Sequence, residues 1–267
     1  MRRFIPSAAF MPVLGVLTLV VWAAVGYEAG AQNPAPGDSR FAGLEWTFAR
    51  IKYQGSKLPG LSGCDTYDEC WTIDYPAAEQ NLSRRLKTVT SVQVNDPVAF
   101  ELDDPALWTH PWIYLVEPGT WIPSAAEVES LREFLMRGGT ITFDDFHGPI
   151  EWANLDRQMK RVFPDRAIVD LPLDHPIFSC FYKIDEYPQT PGLGSFLAGR
   201  TWEKGGYVAR LRAIEDDNGR AMVLINWNTD MGDGWEWSNA ADYPGYVRFT
   251  AQAYQMGINE VVYALTH

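Results

Sequence analysis

The segment WIYLVEPGTWIPSAAEVESLREFLMRGGTITFDD, residues 112–145, decides the fold. Its first five residues, Trp112–Val116, are continuously apolar and lie close to prolines on both sides, a pattern typical of a strand buried on both faces. Ser124 and Glu127 form a capping box, and the apolar residues that follow at helical spacing predict an amphipathic helix ended by two glycines. Thr140–Phe143 is a second short apolar run. Strand, helix and strand with such short connections predict a parallel β-α-β unit.

The same alternation continues on both sides of this unit. Leu44–Tyr53 and Ala221–Trp227 are rich in aromatic and β-branched residues and predict strands. Pro76–Thr88, Trp152–Phe163 and Val247–Leu265 repeat apolar residues at helical spacing and predict helices. We therefore predict an α/β fold: a doubly wound, mostly parallel sheet with helices on both faces.

The N-terminus has the composition of a targeting segment. Arg2 and Arg3 precede the uncharged, largely apolar stretch from Phe4 to Tyr27, and the small-residue pattern Ala29-Gly30-Ala31 follows. These three features predict a secretory signal peptide over residues 1–31. The alternative is an uncleaved helix that anchors the chain in the inner membrane, because the stretch is as long as the ~20 residues that a bilayer requires. Both alternatives place the rest of the chain outside the cytoplasm. Cleavage predicts a periplasmic or secreted protein, and the uncleaved helix predicts a protein anchored in the inner membrane.

The remaining chain is predicted to hold a polar linker, residues 32–43, and a single α/β domain, residues 44–267. The formal net charge of −12 disfavours nucleic acid and anionic lipid surfaces as partners. No later segment is apolar for long enough to predict a membrane span after signal cleavage. An envelope protein, or a glycan or peptide ligand, is therefore the expected kind of partner.

Three cysteines give one candidate cross-link. Cys64 and Cys70 flank a short polar loop, and an oxidising compartment favours a disulfide between them. A zinc site is the weaker alternative because no further Cys or His stands nearby to complete four ligands. Cys180 lies in an apolar run and is interpreted as a core thiol.

Polar residues follow the predicted strands where a ligand crevice is expected. In open α/β sheets, ligands bind beyond the carboxyl ends of the strands. The residues just past the strands are Glu117, then Asp144, Asp145 and His147, and then Asn228, Asp230 and Asp233.

Several short blocks resemble a known family over nearly the whole predicted domain. They resemble the bacterial domain of unknown function 4159 family. The blocks are Phe48-Ala49-Arg50 with Tyr53, Gly138-Gly139 running into Phe143-Asp144-Asp145, Met159–Arg166, His175–Phe178, Asp230–Glu236 and Met256–Asn259.

The resemblance implies a fold similar to the class I glutamine amidotransferase-like superfamily, an amidotransferase-like or flavodoxin-like α/β domain. The chain departs from the enzymes of that superfamily at one point. Those enzymes place a cysteine on a tight, glycine-flanked elbow between a strand and a helix. Here the corresponding segment, Asp144-Asp145-Phe146-His147-Gly148, contains no Cys or Ser, so glutamine hydrolysis is not implied.

The acidic segment after the second central strand is the first candidate site. Asp144 and Asp145 could hold a divalent cation, with His147 as a further ligand or as a general base. The alternative is that one of the aspartates caps the following helix or turn. Adjacent residues of an extended chain point to opposite faces, so we expect at most one of the pair to face a given pocket.

The segment from Asn226 to Glu236 is the second candidate site. Asn226, Asn228 and Asp230 alternate and would present their oxygens on one side of a strand, as an oxygen-lined site for a cation or a sugar hydroxyl. The alternative is a glycine-rich turn in which Gly232 and Gly234 adopt positive φ. If a metal binds, the expected ligands are Asp144, Asp145 and Asp233.

Two further features complete the candidate set. Arg50 and Tyr53 could bind an anionic group, and the alternative is that Arg50 forms an ordinary ion pair. Trp235 is one of several tryptophans near strand ends that could stack on a sugar ring or simply fill the core.

Two functions follow from these features. The first is a non-catalytic exported envelope protein that binds a ligand or a partner in the crevice. The second is a metal-assisted hydrolase that acts on an envelope sugar or peptide through Asp144, Asp145, His147, Asp230 and Asp233.

Overall fold

A computed structural model describes residues 39–55, 69–239, 241 and 243–267. Nine strands and six α-helices are found in this part of the chain. The strands are β1 (Glu45–Trp46), β2 (Ala49–Ile51), β3 (Gln93–Val94), β4 (Val98–Phe100), β5 (Trp112–Val116), β6 (Thr140–Phe146), β7 (Val169–Asp170), β8 (Arg210–Glu215) and β9 (Ala221–Trp227). The helices are α1 (Ala77–Val89), α2 (Ala125–Met136), α3 (Gly148–Val162), α4 (Leu193–Leu197), α5 (Met231–Glu236) and α6 (Val247–Thr266).

Seven of these strands form one sheet in the order β4-β2-β5-β6-β9-β8-β7. The first five run parallel, whereas β8 is antiparallel to β9 and β7 is antiparallel to β8. The predicted α/β class and mostly parallel sheet are confirmed. The order of strands reverses between β2 and β5, so the carboxyl ends of these two strands border a topological switch point.

The three strands on which the site prediction depends lie side by side. Strand β6 stands between β5 and β9 and is parallel to both, with Trp112 opposite Thr140 and Ile141 opposite Val223. Their carboxyl ends therefore meet at one edge of the sheet.

Alternate residues of the central strands face two different helical layers. Ile113 and Leu115 of β5 share a core with the buried sides of α2 and α3. Trp112 and Tyr114 of the same strand share a core with α1 and α6. The predicted helices on both faces are present, and they bury every residue of β5 and β6.

Helix α2 begins where the sequence predicts. The Ser124 side chain accepts a hydrogen bond from the Glu127 N–H at 3.1 Å, and the Glu127 carboxylate accepts one from the Ser124 N–H at 2.7 Å. Both bonds satisfy N–H groups that the first turn of a helix leaves free.

The predicted strand Leu44–Tyr53 is wrong in extent. The chain forms β1, which pairs with β3 in a separate two-stranded sheet, and then β2, which enters the main sheet between β4 and β5. Trp46 and all three residues of β2 are buried, so the apolar pattern continues from one strand to the other and does not reveal the change of partner.

The carboxyl end of β6 and the start of α3 also differ from the prediction. Strand β6 continues to Phe146 rather than Phe143, and its register against β9 shifts between these two residues. Helix α3 begins at Gly148 rather than Trp152. The extra length matters because it places the acidic residues inside the strand and beside its neighbours.

The segment after β9 is neither a continued strand nor a turn with positive-φ glycines. Asn226 lies within β9, the backbone of Asn228 is left-handed with φ 63°, and Asp230 is the N-cap of α5. Gly232 and Gly234 lie inside α5, and neither has positive φ. These glycines are needed for close packing, since a Cβ on Gly234 would lie 2.5 Å from that of Ala253.

The structure tests only some of the remaining predictions, because others fall on residues that it does not describe. The proposed signal peptide and Cys64 lie outside the described residues, so the signal and the Cys64–Cys70 disulfide stay predictions. Cys180 is partly buried in a core cluster, and burial raises its thiol pKa to about 12, as expected for an inert thiol. No helix in the described ranges is both long and apolar enough to cross a bilayer.

Candidate functional site

The carboxyl ends of β5, β6 and β9 bring several acidic side chains to one crevice. Glu117 follows β5, Asp144 and Asp145 lie near the end of β6, and Asp230 follows β9. Each of these four residues is no more than 8% exposed. Burial on this scale disfavours the charged form of a carboxyl group unless hydrogen bonds or positive charges offset it.

Asp144 is satisfied by the protein itself. One carboxylate oxygen accepts the Tyr114 hydroxyl at 2.8 Å and the Gly232 N–H at 2.9 Å, and the other accepts the Met231 N–H at 3.3 Å. Burial and the neighbouring Asp145 nevertheless raise the pKa of Asp144 to about 7. Asp144 thus joins β6 to the first turn of α5 and caps a helix distant in sequence.

Asp145 faces the same crevice as Asp144, contrary to the expectation for adjacent strand residues. Its backbone is left-handed with φ 55°, and the register shift of β6 occurs here. An Asp side chain tolerates this conformation better than most residues. The bulge therefore leaves both carboxylates close enough to Asp230 to raise its pKa.

His147 supports Asp145 from the following turn. Its Nε2 lies 3.2 Å from the Asp145 Oδ1, and its ring is 1% exposed. The His147 side chain does not cap α3; instead, the Glu151 carboxylate accepts the His147 backbone N–H at 2.6 Å.

Asp74 is the residue of the crevice that sequence reasoning missed. It lies just before α1 with φ 63°, and its Oδ2 is fully buried without a hydrogen-bond partner among the described residues. Burial first, and then Asp233 and Asp145, raise its pKa well above the ordinary value. In the sequence it stands directly before Tyr75-Pro76, which marks it only as a residue that flanks a predicted helix, so no local pattern indicates its role.

Three aspartates from separate segments form the most compact acidic group. One carboxylate oxygen each from Asp74, Asp145 and Asp230 lies within 4.8 Å of the others, and we call these residues the three-aspartate cluster. Burial, followed by Asp145 and Asp233, raises the pKa of Asp230 well above its usual range. Oxygen atoms alone at this spacing are what hard divalent cations bind.

Asp233 extends the group but is engaged by the backbone. Its Oδ2 accepts the Leu193 N–H at 2.5 Å, and its Oδ1 accepts the Trp237 indole N–H at 2.9 Å. With Asp74 and Glu236 it forms a second acidic group of the same spacing. Burial raises the pKa of Asp233 to about 7.

Glu117 belongs to a neighbouring group with its own positive charge. Lys204 Nζ lies 2.6 Å from the Glu151 Oε1 and 3.9 Å from the Glu117 Oε2, and we call these three residues the lysine cluster. Burial lowers the pKa of Lys204, but Glu117 and Glu151 raise it more, so the net shift is upward. Lys204 and Glu151 were not predicted, and only the adjacent Gly205-Gly206 hinted at an unusual turn.

Backbone strain concentrates around this crevice. The described non-glycine residues with positive φ are Asp74, Glu117, Asp145, Lys204 and Asn228, and every one belongs to these clusters or contacts the elements that hold them. A left-handed backbone costs a non-glycine residue free energy, and such residues collect at functional sites and ligand clamps.

Arg50 and Tyr53 have structural contacts. Arg50 is fully buried, pairs with Glu79, and donates to the carbonyl oxygens of Trp71 and Ile73 at 3.0 and 2.9 Å. This is the ion-pair alternative, and it fixes the turn that leads into Asp74. The Tyr53 hydroxyl lies 2.8 Å from the carbonyl oxygens of both residues at the end of β5, Val116 and Glu117.

Asn228 and Trp235 are also part of the scaffold. The Asn228 amide accepts the Gly148 N–H at 2.9 Å and donates to the Val208 carbonyl at 2.7 Å, so it ties β9 to the start of α3. Trp235 is 1% exposed and packs against Phe48 and Tyr114, which is the core alternative.

A cavity of about 730 Å³ opens beside the clusters, at the switch point between β2 and β5. Tyr53 lies between the two, because its side chain lines the cavity and its hydroxyl contacts the Glu117 carbonyl. We call it the switch-point cavity. Its described lining is Lys52, Tyr53, Gln54, Glu69, Trp71, Glu101, Asp103, Trp121, Ile122, Pro123, Ser124 and Glu127.

Fold and site together define an α/β domain with a strained, strongly acidic crevice at the carboxyl edge of a mostly parallel sheet. The chain belongs to the family described as domain of unknown function (DUF4159), whose model matches residues 47–265. This finding confirms the family resemblance carried by the sequence blocks. No curated protein matches the chain significantly.

Proposed function

We propose that the chain is an exported envelope protein that binds an oxygen-rich ligand, a glycan or a peptide, in the switch-point cavity without transforming it. The observation that carries the proposal is the position of this cavity. It lies where open α/β sheets bind ligands, and residues following β2, β4 and β5 all line it.

The lining indicates the chemistry of the ligand. In the described lining, Glu69, Glu101, Asp103 and Glu127 supply four carboxylates, and Lys52 supplies the single positive charge. Carboxylates accept hydrogen bonds from hydroxyl and ammonium groups and repel anions. Trp71 adds an aromatic surface that is partly exposed. A neutral or amine-bearing glycan or peptide therefore matches the lining better than a phosphorylated ligand.

We propose that the ligand is not transformed because the turn that ends β6 lacks a nucleophile. Asp145 has the left-handed backbone that a nucleophile elbow requires, but the segment Asp144–Gly148 offers no thiol or hydroxyl nucleophile. The five parallel strands lie in the order β4-β2-β5-β6-β9, so that β4 lies at the edge, outside β2, and the later strands follow on the other side of β2. This order supports a flavodoxin-like and amidotransferase-like fold.

Calorimetric titration of the full chain tests ligand binding. The probes are a neutral muropeptide, a neutral oligosaccharide and an anionic oligosaccharide. We expect heat from a neutral probe, its loss in Trp71→Ala and Glu101→Gln, and no change in Trp108→Ala, which alters an exposed tryptophan beside Arg137. Flat titrations with both neutral probes contradict the proposal.

Export is tested separately from binding. Cell fractionation combined with N-terminal sequencing is expected to find the chain outside the cytoplasm and beginning after Ala31. A protein that stays in the membrane fraction with its N-terminus intact supports the anchored alternative instead.

A second candidate function is metal-assisted hydrolysis of an envelope sugar or peptide. The contact between His147 and Asp145 favours it, because a histidine next to a carboxylate that could bind metal is suited to accept a proton. Product formation from a muropeptide, lost in Asp145→Ala together with metal content, would establish this function. Unchanged metal content in both Asp145→Ala and Asp233→Ala would exclude it.

A further inference from the structure

We infer that the three-aspartate cluster binds one hard divalent cation, with Asp74, Asp145 and Asp230 as its protein ligands. This inference deepens the proposed function, because it names what the acidic end of the crevice holds. Ca²⁺ binds oxygen at about 2.3–2.6 Å, so ligands on opposite sides of the ion stand roughly 5 Å apart. The cluster places its three oxygens within 4.8 Å of one another.

The Oδ2 atom of Asp74 gives evidence that is independent of the clustering. It is fully buried, and no donor in the described part of the chain reaches it. A buried polar atom without a partner destabilises the fold, and it does so more strongly if the group is charged. Glu79, Glu117 and Glu151 also have such an oxygen, but each of them forms an ion pair with Arg50 or Lys204. Asp74 has no ion pair within the described residues, so its oxygen points to a bound group that supplies positive charge.

The contacts of the other acidic residues explain why they are not ligands. Asp144 already accepts one O–H and two N–H groups, and both oxygens of Asp233 accept N–H groups. Asp230 uses Oδ1 to accept the Asp233 N–H at 2.7 Å. The predicted metal set of Asp144, Asp145 and Asp233 is therefore replaced in this proposal by one in which Asp145 alone is retained.

The cluster is held in place by residues behind it. Arg50 fixes the carbonyl oxygens of the turn that carries Asp74, and His147 contacts one oxygen of Asp145. Such outer contacts orient ligands before a metal binds. The inferred ligands come from three separate segments, so the cation would join the turn before α1 to the ends of β6 and β9.

The donor set indicates the class of cation. Three carboxylates without a thiolate favour Ca²⁺, Mg²⁺ or Mn²⁺ over softer ions. The protein's own cations do not replace it, since no Lys or Arg of the described ranges forms an ion pair with any of the three aspartates.

Calorimetric titration of the full chain with Ca²⁺, Mg²⁺ and Mn²⁺, after treatment with a chelator, tests the inference. We expect one ion per chain and at least about a tenfold loss of affinity in Asp74→Asn. Asp217→Asn is the matched control, because it removes an equal charge from a carboxylate that is 82% exposed. Circular dichroism checks that each variant is folded.

A second variant removes the site without changing any charge. A Cβ on Gly232 would lie 2.1 Å from the Asp74 Oδ2, so Gly232→Ala displaces this oxygen. Gly194→Ala, whose Cβ meets nothing within 4 Å, is its control. We expect Gly232→Ala to weaken binding as Asp74→Asn does, and Gly194→Ala to bind as wild type.

Each outcome decides the inference separately from the proposed function. Absence of binding for all three ions at millimolar concentration overturns it, as does binding that both Asp74→Asn and Gly232→Ala leave unchanged. Muropeptide binding by a chain that binds none of the three cations overturns the cation site while supporting ligand binding. Cation binding without any neutral ligand supports the cation and contradicts the proposed function.

Discussion

The lysine cluster and the three-aspartate cluster are neighbours that differ in how their buried carboxylates are neutralised. Both gather buried carboxylates at the carboxyl edge of the sheet. Lys204 lies 2.6 Å from Glu151, so the first cluster contains its own cation. Within the described residues, Asp74 and Asp230 form no ion pair, and the ion-pair contact of Asp145 is to the His147 ring.

Glu260, a buried carboxyl group outside both clusters, is neutralised in a different way. Glu260 of α6 is 1% exposed and accepts the Thr142 hydroxyl at 3.0 Å. Burial, and then Asp144, raise its pKa to about 8. Glu260 therefore holds a proton at neutral pH. Buried carboxylates elsewhere in the described chain thus have a basic side chain or a proton to neutralise them, as Glu151 has Lys204, Glu79 has Arg50 and Glu260 has its proton. The three-aspartate cluster has no such basic side chain and is arranged for an external cation.

The largest effect on stability is expected from removing the ammonium group of Lys204. Lys204→Met leaves Glu117 and Glu151 buried without their partner and is expected to cost about 3 kcal/mol of unfolding free energy. Urea unfolding measures it. Lys183→Met is the control, because the Lys183–Asp185 pair is exposed on both sides and contributes less than about 1 kcal/mol. Equal effects of the two variants would show that the lysine cluster is not neutralised by Lys204.

The next effect is expected at Glu260 and depends on pH. Its folded-state pKa lies above the ordinary value of 4.5, so its contribution to stability is full below pH 4.5 and is lost as pH rises through 8. Glu260→Gln keeps an acceptor for Thr142 and cannot ionise. We expect it to gain on the order of 2 kcal/mol relative to wild type between pH 6.5 and pH 8.5. Urea unfolding at both pH values would contradict this if the difference stayed constant.

A smaller effect of opposite sign to Lys204→Met is expected in the three-aspartate cluster. In cation-free protein, Asp230→Asn replaces a carboxyl group whose ionised form is disfavoured by burial and by Asp145 and Asp233, and it keeps the acceptor for the Asp233 N–H. We expect a gain of roughly 1 kcal/mol in chelator, measured by urea unfolding. A loss of similar size would mean that the charge of Asp230 stabilises the fold, and the contrast between the clusters would disappear.

The smallest effect is expected at the boundary between the clusters and the cavity. Tyr53→Phe removes the hydroxyl that contacts the two carbonyl oxygens at the end of β5. We expect a loss of about 1 kcal/mol by thermal unfolding, as for one buried hydrogen bond, with cation affinity unchanged. A loss of cation binding would show that Tyr53 positions the site.

The sequence predicted the sheet better than it predicted the site. Apolar runs such as Trp112–Val116 and the capping box of α2 are local signals, so they revealed the central β-α-β unit and the edge where polar residues meet. The left-handed turn at Asp145 gave no such signal, because an expected strand alternation concealed it. Asp74 and Lys204 join the site through tertiary packing alone, and no local pattern encodes that.

The contrast between the clusters can be tested most directly by anomalous diffraction from crystals of the full chain grown with Mn²⁺. We predict a strong anomalous peak bounded by Asp74, Asp145 and Asp230, and none between Glu117 and Glu151, where Lys204 lies. An ordered cluster without a peak at millimolar Mn²⁺, or a peak in the lysine cluster instead, would contradict the account.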